Sequence, residues 1–476
     1  MLFGYQLPEL KNIVDLFQWT SLFTRKERDE IELSMGNLID NFIEGDPLEY
    51  SSPKFELNLK DYVFTNMLLP LKEIYGEKQL EQLNEELNGI YEKIHKYYFT
   101  KYYPPRSYSN SFIRIEPNIE KMAEKIRCIE NKPQPDQRTS EWYKFRHDLI
   151  TASSAWKVFK SQSAINQLIV EKCKTLDVTK YDNVNTSTPM HHGNKYEDVS
   201  IMLYEHMYDT KVKDYGCIQH DTYRFLGASP DGINVDPNSH RYGRMLEIKN
   251  PTTREITGIP KEDYWIQMQL QMETCNLNEC DFLETVFKEY DTEEDFTNDG
   301  TFTFTEEDQL KGMMIYFMKD GKPLYEYMPL HISKEEYEIW YDEVMERNSG
   351  LTWIKDIYWW MDEFSCILVL RNKLWFENSI SKIENVWSII EKERETGHEH
   401  RLPKKKTRVL RSNSLVDTNN ISSIVSSNNV ASNNTVQNTI LPANTCLINT
   451  VSLQKQFIYI DTKYELIEDI SCSNTL

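Results

Sequence analysis

The sequence lacks the cysteine patterns that accompany disulfide-stabilised folds or metal clusters. Its eight cysteines are spread over 476 residues, and none is separated from another by two residues. This spacing is typical of proteins from a reducing compartment and disfavours a structural zinc site or an iron–sulfur cluster. Long apolar runs are missing too, since the first thirty residues are interrupted by charges and no stretch reaches about 18 apolar residues. We therefore expect neither a secreted nor a membrane-spanning protein.

An excess of basic residues, the usual footprint of nucleic-acid binding, is also absent. The formal net charge is −21, from 75 acidic and 54 basic residues. A local basic channel on an acidic body can still hold DNA, and the carboxylates of a metal site add negative charge themselves. Net charge alone therefore neither indicates nor excludes a nucleic-acid partner.

The hydrophobic content of 39% supports a sizeable core in two or three domains.

The chain divides into three predicted regions. Residues 1–130 place apolar residues at three- and four-residue intervals and predict a helical accessory domain. Residues 131–395 contain the motifs described below. Residues 396–476 begin with a basic run at 401–411 and continue into an Asn/Ser-rich tract, which predicts a largely disordered tail. The basic run could contact DNA or act as a nuclear signal, and otherwise we expect a cytoplasmic protein.

A turn and a strand in the middle of the chain carry acidic and basic groups. The turn S-P-D-G begins at Ser229, and its Pro and Gly fix the backbone around Asp231. The strand contains Glu247, Ile248 and Lys249, and because residues i and i+2 share a face, the two charged side chains point together. If Asp231 ends the neighbouring strand of a hairpin, two carboxylates and an ammonium meet at one point.

Such a cluster predicts a metal site. Mg2+ takes oxygen ligands from one or two carboxylates and keeps positions for water and substrate phosphate. The ion can acidify a water and stabilise a leaving oxygen, and Lys249 could orient that water or neutralise developing charge. Taken alone, an E-x-K tripeptide is more often a surface ion pair, because Glu and Lys alternate on many solvated strands. The interpretation therefore depends on the motifs around Glu247.

A capped helix followed by hydroxyls lies upstream. Thr139 or Ser140 can cap a helix that has Trp142 on its buried face. Arg146 lies near the end of that helix, and Ser153 stands among hydroxyls that could cap the next one. This arrangement predicts a phosphate site, although a capped helix pair with a surface arginine explains it equally well.

Two further helices supply candidate side chains. Glu197 follows the pair His191 and His192, where it could reach a metal or simply complement the helix dipole. The two histidines lack helical ligand spacing, so we expect indirect or surface roles for them. Gln267 and Gln271 are one turn apart and share a helix face. Their amides could hold a phosphate or a water, or form a polar stripe on a buried helix.

In combination, these motifs resemble the phage lambda-type exonucleases, the YqaJ-type viral recombinase branch of the PD-(D/E)XK nuclease superfamily. The matching residues, in chain order, are Trp142, Arg146, Ile150, Thr151, Ala152, Ser153, Gly193, Tyr196, Glu197, Ser229, Asp231, Glu247, Lys249, Tyr264, Gln267 and Gln269. Each motif is weak alone, and their order makes the combination specific. The resemblance implies an α/β (α+β) fold, with a restriction-endonuclease-like core of central mixed sheet flanked by helices after the N-terminal helical domain. It also implies a large DNA virus as the source.

The resemblance implies a role for each residue at the metal site. Asp231 and Glu247 would be the principal Mg2+ ligands, with Mn2+ able to substitute for Mg2+. The Ile248 carbonyl would assist them, and Glu197 would complete the metal shell. Lys249 would be the catalytic lysine.

The resemblance also implies a site for a DNA end. Arg146 and Ser153 would bind the 5′-terminal phosphate, with Trp142 beside them. Ser229 would contact phosphate or order its turn. Gln267 would support the active site from the following helix.

The implied activity is 5′→3′ exonuclease digestion of duplex DNA ends for recombination or repair. Alternatives are an endonuclease or helicase-partnered nuclease that degrades foreign DNA, and a non-catalytic nucleic-acid-binding protein. Expected partners are DNA, a single-strand annealing protein or helicase, and further copies of the chain in a homo-oligomer, in the host cytoplasm or a viral factory. One departure is the expanded hairpin loop 234–244, which we expect to contact DNA or to protrude. Trp353, Trp359, Trp360 and Trp375 could stack on bases or pack in the core.

Overall fold

The computed structural model describes residues 21–177 and 185–402. Its N-terminal part is helical, as the apolar spacing predicts. The first helix begins with a capping box, in which Thr24 accepts a hydrogen bond from the Glu27 amide and the Glu27 carboxylate accepts one from the Thr24 amide at 2.8 Å. The helices of this part are α1 (Arg25–Gly45), α2 (Phe55–Tyr75), α3 (Leu80–Lys101) and α4 (Ile119–Glu130). The predicted tail and all but the start of the basic run lie outside the described residues.

The rest of the described chain alternates between helices and strands. The helices are α5 (Ser140–His147), α6 (Ala152–Ala155), α7 (Gln162–Cys173), α8 (Pro189–Tyr208), α9 (Glu262–Cys275), α10 (Glu293–Asn298), α11 (Lys334–Arg347) and α12 (Lys373–Thr396). The strands are β1 (Ile150–Thr151), β2 (Val212–Lys213), β3 (Ile218–Gln219), β4 (Leu226–Ala228), β5 (Gly232–Asn234), β6 (Met245–Lys249), β7 (Glu279–Glu289), β8 (Lys311–Lys319), β9 (Lys322–Tyr327) and β10 (Thr352–Leu370). Within the described ranges, none of the helices is both long and apolar enough to cross a membrane.

The strands form two sheets. The smaller has the order β1-β4-β3, with β1 parallel to β4. The larger has the order β2-β5-β6-β7-β10-β8-β9, in which β6 and β7 are parallel and the other neighbours are antiparallel. Parallel neighbours need a crossover connection, and the one between β6 and β7 contains α9. The expected mixed α/β fold with a helical N-terminal region is confirmed.

The N-terminal helices share a hydrophobic core with the region that follows them. The Tyr50 ring stacks on Phe55 with their centroids 4.2 Å apart, and it lies nearly parallel to the Trp265 indole of α9. Arg106 is buried and donates hydrogen bonds to the carbonyls of Tyr50 and Pro260. Packing therefore runs across the predicted boundary at residue 130, and the division into domains stays a prediction.

The chain passes from the smaller sheet to the larger at a three-residue turn. β4 ends at Ala228 and β5 begins at Gly232, so Asp231 precedes a strand rather than ending one. A Cβ atom at Gly232 would collide with the Val212 side chain of β2, and glycine therefore permits the close approach of these strands. β5 pairs with β6, with Gly232 opposite Leu246. This pairing places the turn beside the charged end of β6.

The expanded loop 234–244 is anchored from its inner side, and only Pro237, Asn238 and His240 are exposed, so the loop protrudes in part and contact with DNA stays a prediction. Arg241 and Arg244 are buried and form ion pairs with Asp281 on β7, whose side chain is fully buried. The hydroxyl of Tyr204 also donates a hydrogen bond to Asp281, at 2.6 Å. Buried charges are stable only when they are paired, and the two guanidinium groups face this carboxylate rather than solvent. The loop therefore fastens the β5–β6 hairpin to β7.

The tryptophans divide between the two predicted roles. Trp359 and Trp375 are among the most deeply buried side chains, and core packing is confirmed for both. Trp360 is partly buried, with its ring 4.6 Å from that of Tyr290. Trp353 is 47% exposed, so base stacking stays a prediction for Trp353 and for the partly buried Trp360.

Candidate active site

The end of β6 brings the predicted carboxylates and lysine together. Glu247 is fully buried, Ile248 packs into the core, and Lys249 forms an ion pair with Glu247. The Ile248 amide donates a hydrogen bond to Asp231 Oδ2 at 2.8 Å, and Lys249 Nζ donates one to the Ile248 carbonyl at 3.0 Å. The alternation of side chains along β6 thus has the predicted effect. Asp231, Glu247 and Lys249 meet at one point on the large sheet.

Two glutamines of α9 hold the Glu247 carboxylate. Gln267 Nε2 donates to Oε1 of Glu247 at 2.7 Å, and Gln271 Nε2 donates to Oε2 at 2.7 Å. Together with Lys249 they supply three donors to a carboxylate that has no solvent exposure. A buried carboxylate needs such partners, because an unpaired one would lose the hydration it has in the unfolded chain. The shared face predicted for the two glutamines is therefore the face over Glu247.

Negative charge is concentrated around Asp231, and it shifts the pKa values of the neighbouring side chains. Burial and the nearby Asp231 raise the pKa of Glu247 to about 7, although Lys249 and Gln271 lower it. Burial alone would lower the pKa of Lys249, but Glu247 and Asp231 outweigh it, so the pKa is raised and the side chain stays an ammonium. Burial and Asp231 also raise the pKa of Glu197 to about 7. Asp231 thus lies within electrostatic reach of both Glu247 and Glu197.

Glu197 has a partner that the sequence analysis missed. Arg138 Nη2 lies 2.8 Å from Glu197 Oε2. Arg138 adopts a left-handed backbone with φ of 65°, immediately before Thr139, which caps α5 by accepting a hydrogen bond from the Trp142 amide at 3.2 Å. Glu197 lies eight residues after Pro189, the first residue of α8, so the helix-dipole alternative is wrong, since that effect is confined to the first turn. No local pattern could have paired two residues so far apart in the sequence.

A second cluster, which we call the anion clamp, consists of Trp142, Arg146, Ser153 and Ser229. Arg146 donates hydrogen bonds to the hydroxyls of Ser229 and Ser153, each at 3.1 Å. Its guanidinium lies over the Trp142 ring, 4.2 Å from the centroid. The hydroxyl cap predicted for the second helix does not form, because Thr151 makes no capping hydrogen bond at the start of α6. The clamp residues therefore converge on one arginine.

The donor set near Asp231 fits a hard cation, although the histidines do not take part. His191 is buried against the Tyr325 hydroxyl, at 2.6 Å. Across residues 21–177 and 185–402, no group of three or more His, Cys, Asp or Glu side chains has the arrangement of a metal site. Mg2+ does not require three, because one or two carboxylates suffice beside water and substrate oxygens. Asp231, Glu247 and the carbonyl of Ile248 supply oxygen donors of this kind. A bound cation would relieve the repulsion between the two carboxylates.

Comparison with known proteins gives matches in sequence and in structure. Residues 141–278 match the YqaJ-like viral recombinase domain. An uncharacterized protein of Acanthamoeba polyphaga mimivirus is 31% identical over 358 residues, which cover 66% of this chain and 62% of that protein. The chain therefore spans less than two thirds of the length of this viral relative.

Two solved structures of an alkaline exonuclease from Laribacter hongkongensis are also similar. One is 19% identical with a TM-score of 0.33, and it covers 55% of this chain and 97% of the exonuclease. The other, a complex with dAMP, is 20% identical with a TM-score of 0.30, and it covers 55% and 95%. The anion clamp, the three carboxylates and both glutamines over Glu247 all lie within residues 141–278. The match to the YqaJ-like viral recombinase domain therefore spans all of these residues.

Proposed function

We propose that the chain is a Mg2+-dependent deoxyribonuclease that digests the 5′-ended strand of duplex DNA from its end. One observation carries the proposal. The anion clamp and the carboxylate–lysine cluster meet at a single turn, because Ser229 contacts Arg146 while Asp231, two residues later, contacts β6. An anion site beside a hydrolytic site is what an enzyme needs to recognise a phosphorylated end and cleave near it. The match of residues 141–278 to a viral recombinase domain supports DNA as the substrate.

The carboxylates would hold the metal ion. Asp231, Glu247 and the Ile248 carbonyl supply hard oxygen donors, and Glu197 would join them after exchanging its contact with Arg138. When bound, Mg2+ would acidify a water and stabilise charge on the scissile phosphate. Gln267 keeps the Glu247 carboxylate in place without adding charge that would compete for the cation.

Lys249 would act on the attacking water or on the scissile phosphate. Its raised pKa keeps it an ammonium at neutral pH, and its side chain is 23% exposed, so it can reach a substrate. The water oxygen forms the new bond to phosphorus, the bond from phosphorus to the 3′-oxygen breaks, and that oxygen takes up a proton. The released nucleotide keeps its 5′-phosphate, and the shortened strand gains a new one. Each cycle therefore regenerates the ligand of the anion clamp.

The anion clamp would bind the 5′-terminal phosphate. The hydroxyls of Ser229 and Ser153 hold the Arg146 guanidinium in place, and a phosphate bound beside them would be a charged and therefore stronger acceptor for the same donors. The Trp142 ring packs against the Arg146 guanidinium group in a cation–π contact and limits its movement. Digestion of one strand leaves the other single-stranded with a 3′ end, and a single-strand annealing protein is the partner expected to take it up.

The proposal is tested with purified protein, three substrates and one metal-free control. The substrates are linear duplex DNA with a 5′-phosphate, the same duplex with a 5′-hydroxyl, and closed circular DNA, and the control is the phosphorylated linear DNA in EDTA. We expect Mg2+-dependent loss of phosphorylated linear DNA, slower loss of hydroxyl-ended DNA, and intact circles. Lys249→Ala should abolish cleavage while leaving DNA binding in place.

Other outcomes would contradict the proposal in distinct ways. Cleavage of closed circles would identify an endonuclease. Binding of DNA with no cleavage by the wild type, in Mg2+ or Mn2+, would identify a non-catalytic nucleic-acid-binding protein. Equal cleavage of phosphate and hydroxyl ends would remove the role given to Arg146.

A further inference from the structure

The two halves of the proposed site lie on different sheets. In the anion clamp, Ser153 follows β1 and Ser229 follows β4, and both strands belong to the small sheet. Asp231 immediately precedes β5 and Glu247 lies on β6, both in the large sheet. A site divided between two sheets works as a unit only if their relative position is fixed at the point where they meet.

Gln271 lies at that point and contacts both halves. Its Nε2 donates to Glu247 Oε2 at 2.7 Å and to the Ser229 carbonyl at 3.2 Å. An amide nitrogen has two hydrogens, so one side chain can make both bonds at once. The side chain is 1% exposed, and rotation of the amide would turn its oxygen towards the Glu247 carboxylate. The orientation of Gln271 is therefore determined by the two acceptors that it bridges.

The orientation that lets Gln271 donate both hydrogen bonds leaves its own amide oxygen without a donor among the described residues. Gln271 Oε1 is buried and accepts no hydrogen bond from the described residues. A buried polar atom without a partner is destabilising, so an apolar side chain of similar shape would be more stable here if Gln271 served packing alone. The presence of an amide is explained by its nitrogen, which donates both hydrogen bonds.

Neighbouring glutamines on α9 provide a contrast. Gln267 donates to Glu247, and within the described part of the chain it makes no hydrogen bond to Ser229. Gln269 is as deeply buried as Gln271, but it bonds to the carbonyl of Leu370, the last residue of β10, and to the amide of Asn372, just before α12. Of these three glutamines, Gln271 alone joins the carboxylate to the turn of the anion clamp.

We infer that Gln271 is a positioning residue that couples occupancy of the anion clamp to the alignment of the Glu247 carboxylate. The route is short, from Arg146 to the Ser229 hydroxyl, from the Ser229 carbonyl to Gln271, and from there to Glu247. A terminal phosphate that contacts Ser229 fixes the main chain of the turn 229–231. Because Gln271 is bonded to the Ser229 carbonyl, its side chain is then fixed too, and it holds the Glu247 carboxylate in one orientation. The inference rests on the proposed function and adds that a 5′-phosphate accelerates cleavage as well as binding.

The test compares Gln271→Met with two matched variants, Gln267→Met and Gln269→Met. For each protein, kcat and KM are measured on duplexes that differ only in a 5′-phosphate or a 5′-hydroxyl. Hydrogen bonds to charged groups contribute about 1.5–3 kcal/mol, so Gln271→Met should reduce the ratio of the two kcat values by about tenfold or more. Gln267→Met should lower both kcat values by a similar factor, and Gln269→Met should lower thermal stability without changing the ratio.

A binding measurement separates coupling from damage to the anion clamp. The affinity for the phosphorylated duplex in EDTA should be the same for Gln271→Met as for the wild type, because the Arg146 contacts remain. If Gln271→Met folds poorly, Gln271→Asn, which is one methylene shorter, withdraws the amide while keeping its polarity and should reduce the ratio in the same way.

The possible failures are distinguishable. A wild-type ratio that both Gln271 variants retain would overturn the inference and leave the nuclease proposal intact. A fall in both kcat values by the same factor would assign Gln271 the same role as Gln267 and would also overturn the coupling. A wild type without turnover on any DNA would refute the proposed function, and the inference with it.

Discussion

Removing the ammonium of Lys249 should destabilise the protein strongly at alkaline pH. Glu247 has no solvent exposure, and Lys249 is its cationic partner. Removal of one partner from a buried ion pair typically costs about 3–5 kcal/mol, because the remaining charge cannot regain its hydration. Gln267 and Gln271 still donate to the carboxylate, so we expect Lys249→Met to lose about 3 kcal/mol, the lower end of that range.

The loss should shrink as the pH falls. The pKa of Glu247 in the folded protein is already raised from its usual 4.5 to about 7, and it rises further without Lys249. Below that folded-state pKa the native carboxyl binds a proton that the unfolded chain does not, so the free energy of unfolding increases as the pH falls. Between the folded-state pKa of the wild type, about 7, and the higher one of the variant, only the variant binds this proton. The difference in the free energy of unfolding between the two proteins therefore shrinks by about 1.4 kcal/mol per pH unit as the pH falls towards about 7, and it is nearly constant below that pH.

The assay is urea unfolding in EDTA, followed by tryptophan fluorescence, near pH 6, 7 and 8. The control is the double variant Glu247→Gln/Lys249→Met, which has no buried charge at this point. It should be more stable than Lys249→Met at the highest pH and should lack the additional pH dependence. The reasoning would be refuted by an equal loss for Lys249→Met at all three pH values, or by a double variant no more stable than the single one.

Three further predictions concern the rest of the site. Arg146→Lys should lower the ratio of kcat/KM for phosphate over hydroxyl ends about tenfold, because an ammonium cannot reach both serines of the anion clamp; an unchanged ratio would contradict this. Asp281→Asn leaves the buried Arg241 without its counter-charge and Arg244 with Glu279 alone, so urea unfolding should show a loss of about 3–5 kcal/mol with the end preference unchanged. The affinity for Mg2+ should decline as the pH falls through about 7, where protons compete with the cation for Glu247 and Glu197. An Mg2+ affinity that stays constant between about pH 6 and 8 would count against the last prediction.

Local periodicity accounts for what the sequence alone determined. The two-residue period of a strand placed Glu247 and Lys249 on one face of β6 and Ile248 in the core. The period of an α-helix placed Gln267 and Gln271 on one face of α9, and the Thr139 hydroxyl capped α5 as predicted. Such features depend on residues a few positions apart, so the chain carries them without reference to its fold.

The contacts that assemble the site depend on tertiary structure. The pairing of Arg138 with Glu197 and the meeting of Ser153 with Ser229 at Arg146 each join residues from separate elements. The anchoring of loop 234–244 likewise depends on a carboxylate of β7. The strand order and the crossover through α9 bring these partners together, and neither follows from a local period. The sequence therefore determined which side chains lie on the same face of each helix or strand. Which of these side chains contact one another was decided only by the packing of the two sheets at one turn, because that packing depends on burial summed over the whole core.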